Sequence, residues 1–228
     1  MSPPSADLAP ARAARRQRFA DDVDLYPVTC EELSAGRTDV QVLEAVIAGG
    51  ARIIQLRDKR ASPRAFYEKA CRFRDLTRAH GVLLFINDHV DIALAVDADG
   101  VHLGQDDLPL PVARRLLPHQ LLGASTHNLA EALRAEAEGA DYVNIGPLYP
   151  TATKEGVREF LGPDAVRAIA PRLHIPFTVM GGITTANLAD VLAAGARRVA
   201  VVTAITRAPD IAAAVRDWRE RIRAAPRP

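Results

Sequence analysis

A chain of 228 residues in which 48% are hydrophobic is long enough for one large domain or two small ones, and carries the apolar content of an ordinary globular core. A formal net charge of +1 with 25% charged residues leaves no protein-wide field to recruit nucleic acid or a membrane surface. Cys30 and Cys71 fit no metal or disulfide framework, which points to a reducing, cytoplasmic setting, and no apolar run approaches the roughly 18 residues of a membrane span.

The opening "MSPPSADLAPARAARRQRFADD" lacks the apolar central region of a secretory signal. Arg12, Arg15, Arg16 and Arg18 fit a targeting or anion-binding arm, but the Pro/Ala/Arg composition reads more simply as a disordered tail over residues 1–20, ahead of a single domain over 21–228. The first apolar run is "DLYPVT" (24–29). After it, "TDVQVLEAVIAGG" sets Val42, Val46 and Ile47 on one helical face and stops at Gly49-Gly50. "ARIIQLRD" (51–58) is the second run. The helix "SPRAFYEKACRFRDLTRAHG" follows it, with a Ser cap, Pro at the first helical position and a Gly stop. "VLLFIND" (82–88) and "GVHLGQ" (100–105) come next, separated by "HVDIALAV" and followed by "LPLPVARRLL", two short helical pieces. "LLGAST" (121–126) precedes the helix "HNLAEALRAEAEGA"; "YVNIGPLY" (142–149), "PFTVMGG" (176–182), the helix "TTANLADVLAAGA" and "RVAVVTAI" (198–205) complete the series.

Eight strand–helix units over one chain predict a parallel α/β sheet with right-handed crossovers. The runs are apolar throughout rather than alternating, as expected when both faces are covered. Units this short favour a closed, single-domain (β/α)8 TIM barrel over a doubly wound open sheet.

In such a barrel chemistry sits at the C-terminal ends of the strands. Those ends carry Thr29; Gln55, Arg57 and Lys59; Asn87 and Asp88; Gln105, Asp106 and Asp107; Ser125, Thr126 and His127; Thr151, Thr153 and Lys154; Gly181 and Gly182; and Thr203. Any one of them alone is turn or capping chemistry. Their concentration on one rim predicts a site for anionic ligands. Gly181-Gly182 after the seventh strand and Val202-Thr203 after the eighth occupy the usual barrel phosphate position. Arg57, Lys59 and Lys154 form either a second anion holder or solvated surface charge. Asp88 and Asp107, from adjacent strands, suit a Mg²⁺ completed by substrate phosphate oxygens, a general acid/base pair, or two helix caps. His102 lies within a strand and reads as a core histidine; no His/Cys ligand set for zinc is present in the sequence.

"QLRDK" (55–59), "INDHVDIALAVDADGVHLGQDD" (86–107), "GAST" (123–126), "GPLYPTATK" (146–154), "GGI" (181–183) and "VVTAI" (201–205) together resemble the motif set of the thiamine-phosphate synthase family, in order from about Leu25 to the last strand. The resemblance implies a (β/α)8 barrel that joins hydroxymethylpyrimidine diphosphate to a thiazole phosphate and releases pyrophosphate, with Mg²⁺ as cofactor. It implies two phosphorylated small-molecule substrates, no nucleic-acid or membrane partner, and leaves a homo-oligomer open. By motif position, Gln55, Leu56, Arg57, Asp58, Lys59, Asn87, Ser125 and Lys154 match the pyrimidine diphosphate site. Of these, the resemblance implies that Arg57, Lys59, Ser125 and Lys154 act on the leaving group. Asp88 and Asp107 match the Mg²⁺ ligands. Thr151, Ala152, Thr153, Gly182, Val202 and Thr203 match the thiazole phosphate site.

Three positions depart from the family pattern: Asp58 for Glu, Thr203 for Ser, and Cys30 for an acidic residue after the first strand, read here as a small buried thiol. Two rivals remain. A thiazole tautomerase of the same superfamily would use His127 for proton transfer but needs neither Asp107 nor the Thr-x-Thr-Lys loop. A catalytically silent phosphate-metabolite sensor would not need the metal and diphosphate groups.

Overall fold

The computed structural model describes residues 8–151 and 159–226. Its strands are β1 (Leu25–Pro27), β2 (Ile53–Leu56), β3 (Leu83–Asn87), β4 (Gly100–Leu103), β5 (Leu121–Thr126), β6 (Tyr142–Ile145), β7 (Phe177–Val179) and β8 (Val199–Val201). All neighbours are parallel, in the order β1-β8-β7-β6-β5-β4-β3-β2. A bridge between Val28 and Gln55, with the Thr29 N–H donating to the Gln55 carbonyl at 2.9 Å, brings β1 back beside β2. The sheet is therefore the expected (β/α)8 barrel.

The helices are α1 (Leu8–Asp22), α2 (Asp39–Ala48), α3 (Pro63–Ala79), α4 (Val90–Ala95), α5 (Leu110–Leu116), α6 (Leu129–Ala137), α7 (Gly162–Ile169), α8 (Leu188–Ala193), α9 (Thr203–Thr206) and α10 (Ile211–Ala224). Their starts follow from local chemistry. Thr38 and Gln41 form a capping box on α2, Ser62 accepts from the Ala65 N–H ahead of α3, and Asn128 and Asp210 cap α6 and α10. No described helix is long and apolar enough to cross a membrane.

Two apolar layers account for the continuous runs. Leu25, Ile54, Leu56, Leu84 and Ile86 face the helices, while Tyr26, Ile53, Leu83, Phe85, Leu121 and Tyr142 fill the barrel. The interior rings need glycine opposite them. A Cβ on Gly100 would lie 2.3 Å from the Phe85 ring, and one on Gly123 would lie 2.2 Å from the Tyr142 ring.

The structure differs from the sequence reading at the N-terminus. From Leu8 onward the segment expected as a loose tail is helix α1, and Phe19 near its end is 1% exposed, inside the barrel cluster with Tyr26, Phe85 and Tyr142. The arginines are not idle either. Arg12 pairs with Asp141 at 2.8 Å and Arg15 with Asp99 at 3.4 Å. Asp24, Asp99 and Asp141 stand just before β1, β4 and β6, where Arg219, Arg74 and Arg114 also pair with them. The N-terminal face of the barrel is thus closed by a ring of strand-start carboxylates and the helix whose arginines meet two of them.

Candidate active site

The opposite rim carries the residues expected to do chemistry. After β2, the Arg57 N–H donates to the Thr29 hydroxyl at 3.0 Å, fixing the loop against the end of β1. The Arg57 guanidinium reaches the Cys30 thiol at 3.7 Å; Cys30 is buried, as expected. Asp58 turns away from the rim. One carboxylate oxygen accepts from the Arg60 and Ala61 N–H groups at 3.0 Å, and the other takes the Lys69 ammonium at 2.7 Å. Lys69, on α3, also holds Glu31 at 3.0 Å and the fully buried Asp39 carboxylate at 2.7 Å. Burial pushes Asp58 up, but Lys69 and the two backbone donors outweigh it and leave its carboxyl below the ordinary range. Leu56 belongs to the core between barrel and helices, so it can meet a ligand only through its backbone.

Asp88 follows β3 with φ of 64°, a left-handed conformation that turns the chain sharply at the rim, and its N–H donates to the His102 carbonyl at 2.9 Å. Lys59 forms an ion pair with its carboxylate. From the neighbouring β4 loop, Asp107 accepts from the Gly104 N–H at 2.6 Å. Burial, then the nearby Asp88 carboxylate, hold the Asp107 carboxyl above its ordinary value. Two carboxylates this close, one destabilised by the other, fit a divalent cation that relieves their repulsion. Among the described residues no group of three or more His, Cys, Asp or Glu side chains could hold a metal, so further ligands would come from substrate and water.

Between these loops and β5 runs a hydrogen-bonded chain through the barrel. Gln55 Nε2 donates to the Tyr26 hydroxyl at 3.0 Å, and the Tyr26 and Tyr142 hydroxyls are 3.2 Å apart. His102 Nδ1 lies 2.9 Å from the Tyr142 hydroxyl, and His102 Nε2 lies 3.0 Å from Ser125 Oγ. His102 is half-buried, its ring stacked on Tyr142. Asn87, at the end of β3, is buried at the same rim. His127 stands apart from this chain, its Nδ1 2.9 Å from Glu131 at the start of α6.

The residues expected from the sequence to hold a phosphate lie across the rim. Gly181 and Gly182 have φ of 105° and 60°, and a Cβ on Gly182 would fall 2.4 Å from the Pro150 carbonyl oxygen. That contact, and the Tyr149 N–H donating to the Gly181 carbonyl at 3.0 Å, seat the β6 loop with Thr151 on the β7 loop. Val202 and Thr203 follow β8, the strand next to β7. Ala152, Thr153 and Lys154 lie outside the described residues.

The rim therefore brings Gln55, Arg57, Lys59, Asn87, Asp88, Asp107 and Ser125 onto one arc, with Gly182, Val202 and Thr203 on the other. Sequence reasoning missed Tyr26, Tyr142 and Lys69. The tyrosines sit at core positions of apolar strands, where a hydroxyl gives no periodic signal, and Lys69 looks like any exposed helix cation.

A family model described as thiamine monophosphate synthase matches residues 25–205. A thiamine-phosphate synthase of Chloroflexus aurantiacus is 52% identical over 198 residues, covering 87% of this chain and 92% of that protein. One from Methanospirillum hungatei is 47% identical over 200 residues, covering 87% of this chain and 97% of that protein. Among solved structures, a thiamine phosphate pyrophosphorylase from Pyrococcus furiosus matches with a TM-score of 0.84 at 37% identity, covering 91% of this chain and 98% of that one.

Proposed function

The chain belongs to the thiamine monophosphate synthase family, and we propose from that premise how its strand-end rim works. It is a transferase of thiamine biosynthesis that makes thiamine phosphate. The pyrimidine partner, 4-amino-2-methyl-5-hydroxymethylpyrimidine diphosphate, sits on the arc from β2 to β5. The 4-methyl-5-hydroxyethylthiazole phosphate sits across from it, its phosphate against Gly182, Val202 and Thr203, with Thr151 and Thr153 from the β6 loop.

The observation that carries this reading is the Lys59, Asp88 and Asp107 group: one cation and two adjacent carboxylates beside Arg57, on a rim whose far side carries Gly182, Val202 and Thr203. A Mg²⁺ held by Asp88 and Asp107 would neutralise charge on the leaving pyrophosphate. Arg57, Lys59, Ser125 and Lys154 donate to the diphosphate oxygens as negative charge grows on them, in a site arranged before the reaction begins. Carbon–oxygen cleavage comes first and leaves a pyrimidine-stabilised cation, which the thiazole nitrogen then attacks. The barrel holds that nitrogen close to the methylene carbon. The attacking nitrogen carries no proton, so no residue has to serve as a general base. The relatives, named thiamine-phosphate synthases, do not favour the tautomerase reading.

Incubation with both substrates and Mg²⁺, followed by mass spectrometry, tests the assignment. Thiamine phosphate and pyrophosphate are expected in equal amounts; consumption of the diphosphate without thiamine phosphate would contradict it.

A further inference from the structure

The chain of polar groups inside the barrel starts at one diphosphate-arc residue, Gln55 on β2, and ends at another, Ser125 on β5. Packing uses the rings of Tyr26 and Tyr142, and their hydroxyls add only the hydrogen bonds. The first link of the chain has a set direction. The Gln55 amide nitrogen can only donate, so the Tyr26 oxygen accepts from it; the contact between the two hydroxyls admits either donor, and the relay takes Tyr26 as donor to Tyr142. In that direction Tyr142 donates to His102 Nδ1, the bare ring nitrogen of the relay. His102 carries its proton on Nε2 and donates to Ser125 Oγ. Burial pushes both phenols well above their ordinary value, so each keeps the proton it has to pass on.

We propose that Tyr26, Tyr142 and His102 form a one-way hydrogen-bond relay that fixes the Ser125 hydroxyl as an acceptor toward the barrel interior and so reserves its proton for a diphosphate oxygen. They are positioning residues: Ser125 makes the contact, and the relay sets its direction. A serine free to rotate spends part of its time with the proton aimed back at His102, where it gives nothing to the leaving group. The relay turns that average into one orientation before substrate arrives, the kind of preorganisation that favours developing charge. It also ties Gln55 to Ser125, because turning the Gln55 amide over would reverse every bond in the series. The proposal rests on the reading of Ser125 as a diphosphate contact.

Two measurements test it and separate its failure from failure of that reading. In ¹⁵N-histidine-labelled protein without substrate, His102 should be neutral with its proton on Nε2 and a bare Nδ1; the opposite tautomer, or an imidazolium at neutral pH, overturns the relay. In steady-state kinetics, Ser125→Ala and Tyr142→Phe should each lower kcat roughly tenfold, the worth of one hydrogen bond to a charged group, with the KM for thiazole phosphate unchanged. The Ser125→Ala/Tyr142→Phe double variant should be no slower than Ser125→Ala alone, because the tyrosine acts only through that hydroxyl. Tyr26→Phe provides the same comparison one link further away, should Tyr142→Phe unfold. Losses that multiply in the double variant would mean a merely structural role and overturn the relay. An unchanged kcat in Ser125→Ala would instead remove Ser125 from the site, and with it the relay's purpose, whatever the tautomer.

Discussion

The Phe19 ring stacks on Tyr142 with centroids 4.5 Å apart and planes inclined by 30°. Phe19 belongs to the helix that precedes the first strand, and Tyr142 to the middle of the barrel, so α1 supplies the floor on which the interior rings rest. Phe19→Ala should lower the unfolding free energy by about 3–5 kcal/mol, the usual cost of emptying a buried aromatic site. Urea denaturation measures it, and a midpoint equal to that of the unaltered protein would mean α1 does not hold the barrel.

That helix also marks where the sequence stops being legible. The eight strands and the rim were readable because apolar runs recur at regular intervals and polar groups cluster at their C-terminal ends. Asp88 and Asp107 could be paired from strand order alone. Phe19 could not be placed, because one aromatic among arginines has too little apolar company to announce a packed helix. The carboxylates that receive Arg12 and Arg15 lie more than 80 positions away, at the starts of β6 and β4. Asp58 was read with its neighbours as part of the diphosphate site, yet its side chain points to Lys69, a partner on the next helix that no local pattern reveals.

Lys69 is the residue on which the loop bearing Arg57 and Lys59 is anchored. Lys69→Met leaves Glu31, Asp39 and Asp58 facing one another, at a cost of about 2–3 kcal/mol, between exposed and buried ion-pair values. Their mutual contacts raise Lys69 and lower Glu31 and Asp58, so these three groups stabilise the fold between the carboxylate and lysine ranges and lose that effect beyond either; burial holds Asp39 above its ordinary value and works the other way. The stability gap between variant and unaltered protein should therefore be widest near neutral pH and close as acid protonates the carboxylates. Thermal melts across that range measure it; a gap that widens in acid would contradict the sign.

Asp88→Asn and Asp107→Asn should each cut kcat steeply while leaving thiazole phosphate binding within a few-fold. Each removes one of the two carboxylates assigned to Mg²⁺, and neither touches the β7–β8 side of the rim. Near-normal Mg²⁺-dependent rates in both variants would displace the metal from this pair.

Thr203→Val should give the converse pattern. One hydrogen bond from a neutral hydroxyl to a charged phosphate oxygen is lost, about 1.5–3 kcal/mol, and it should be lost mainly from thiazole phosphate affinity. Calorimetric titration with thiazole phosphate reads it directly; an unchanged dissociation constant would move the phosphate away from β8.

The order of bond breaking is the centre of the account, and one comparison tests it. Replacing the pyrimidine's methyl group by trifluoromethyl withdraws electron density from the methylene carbon but leaves unaltered the diphosphate proposed to meet Arg57 and Lys59. If the cation forms before the thiazole nitrogen attacks, single-turnover rates should fall by several powers of ten, each about 1.4 kcal/mol of barrier, while dissociation constants for the two diphosphates stay close. Similar single-turnover rates for the two would contradict the dissociative order.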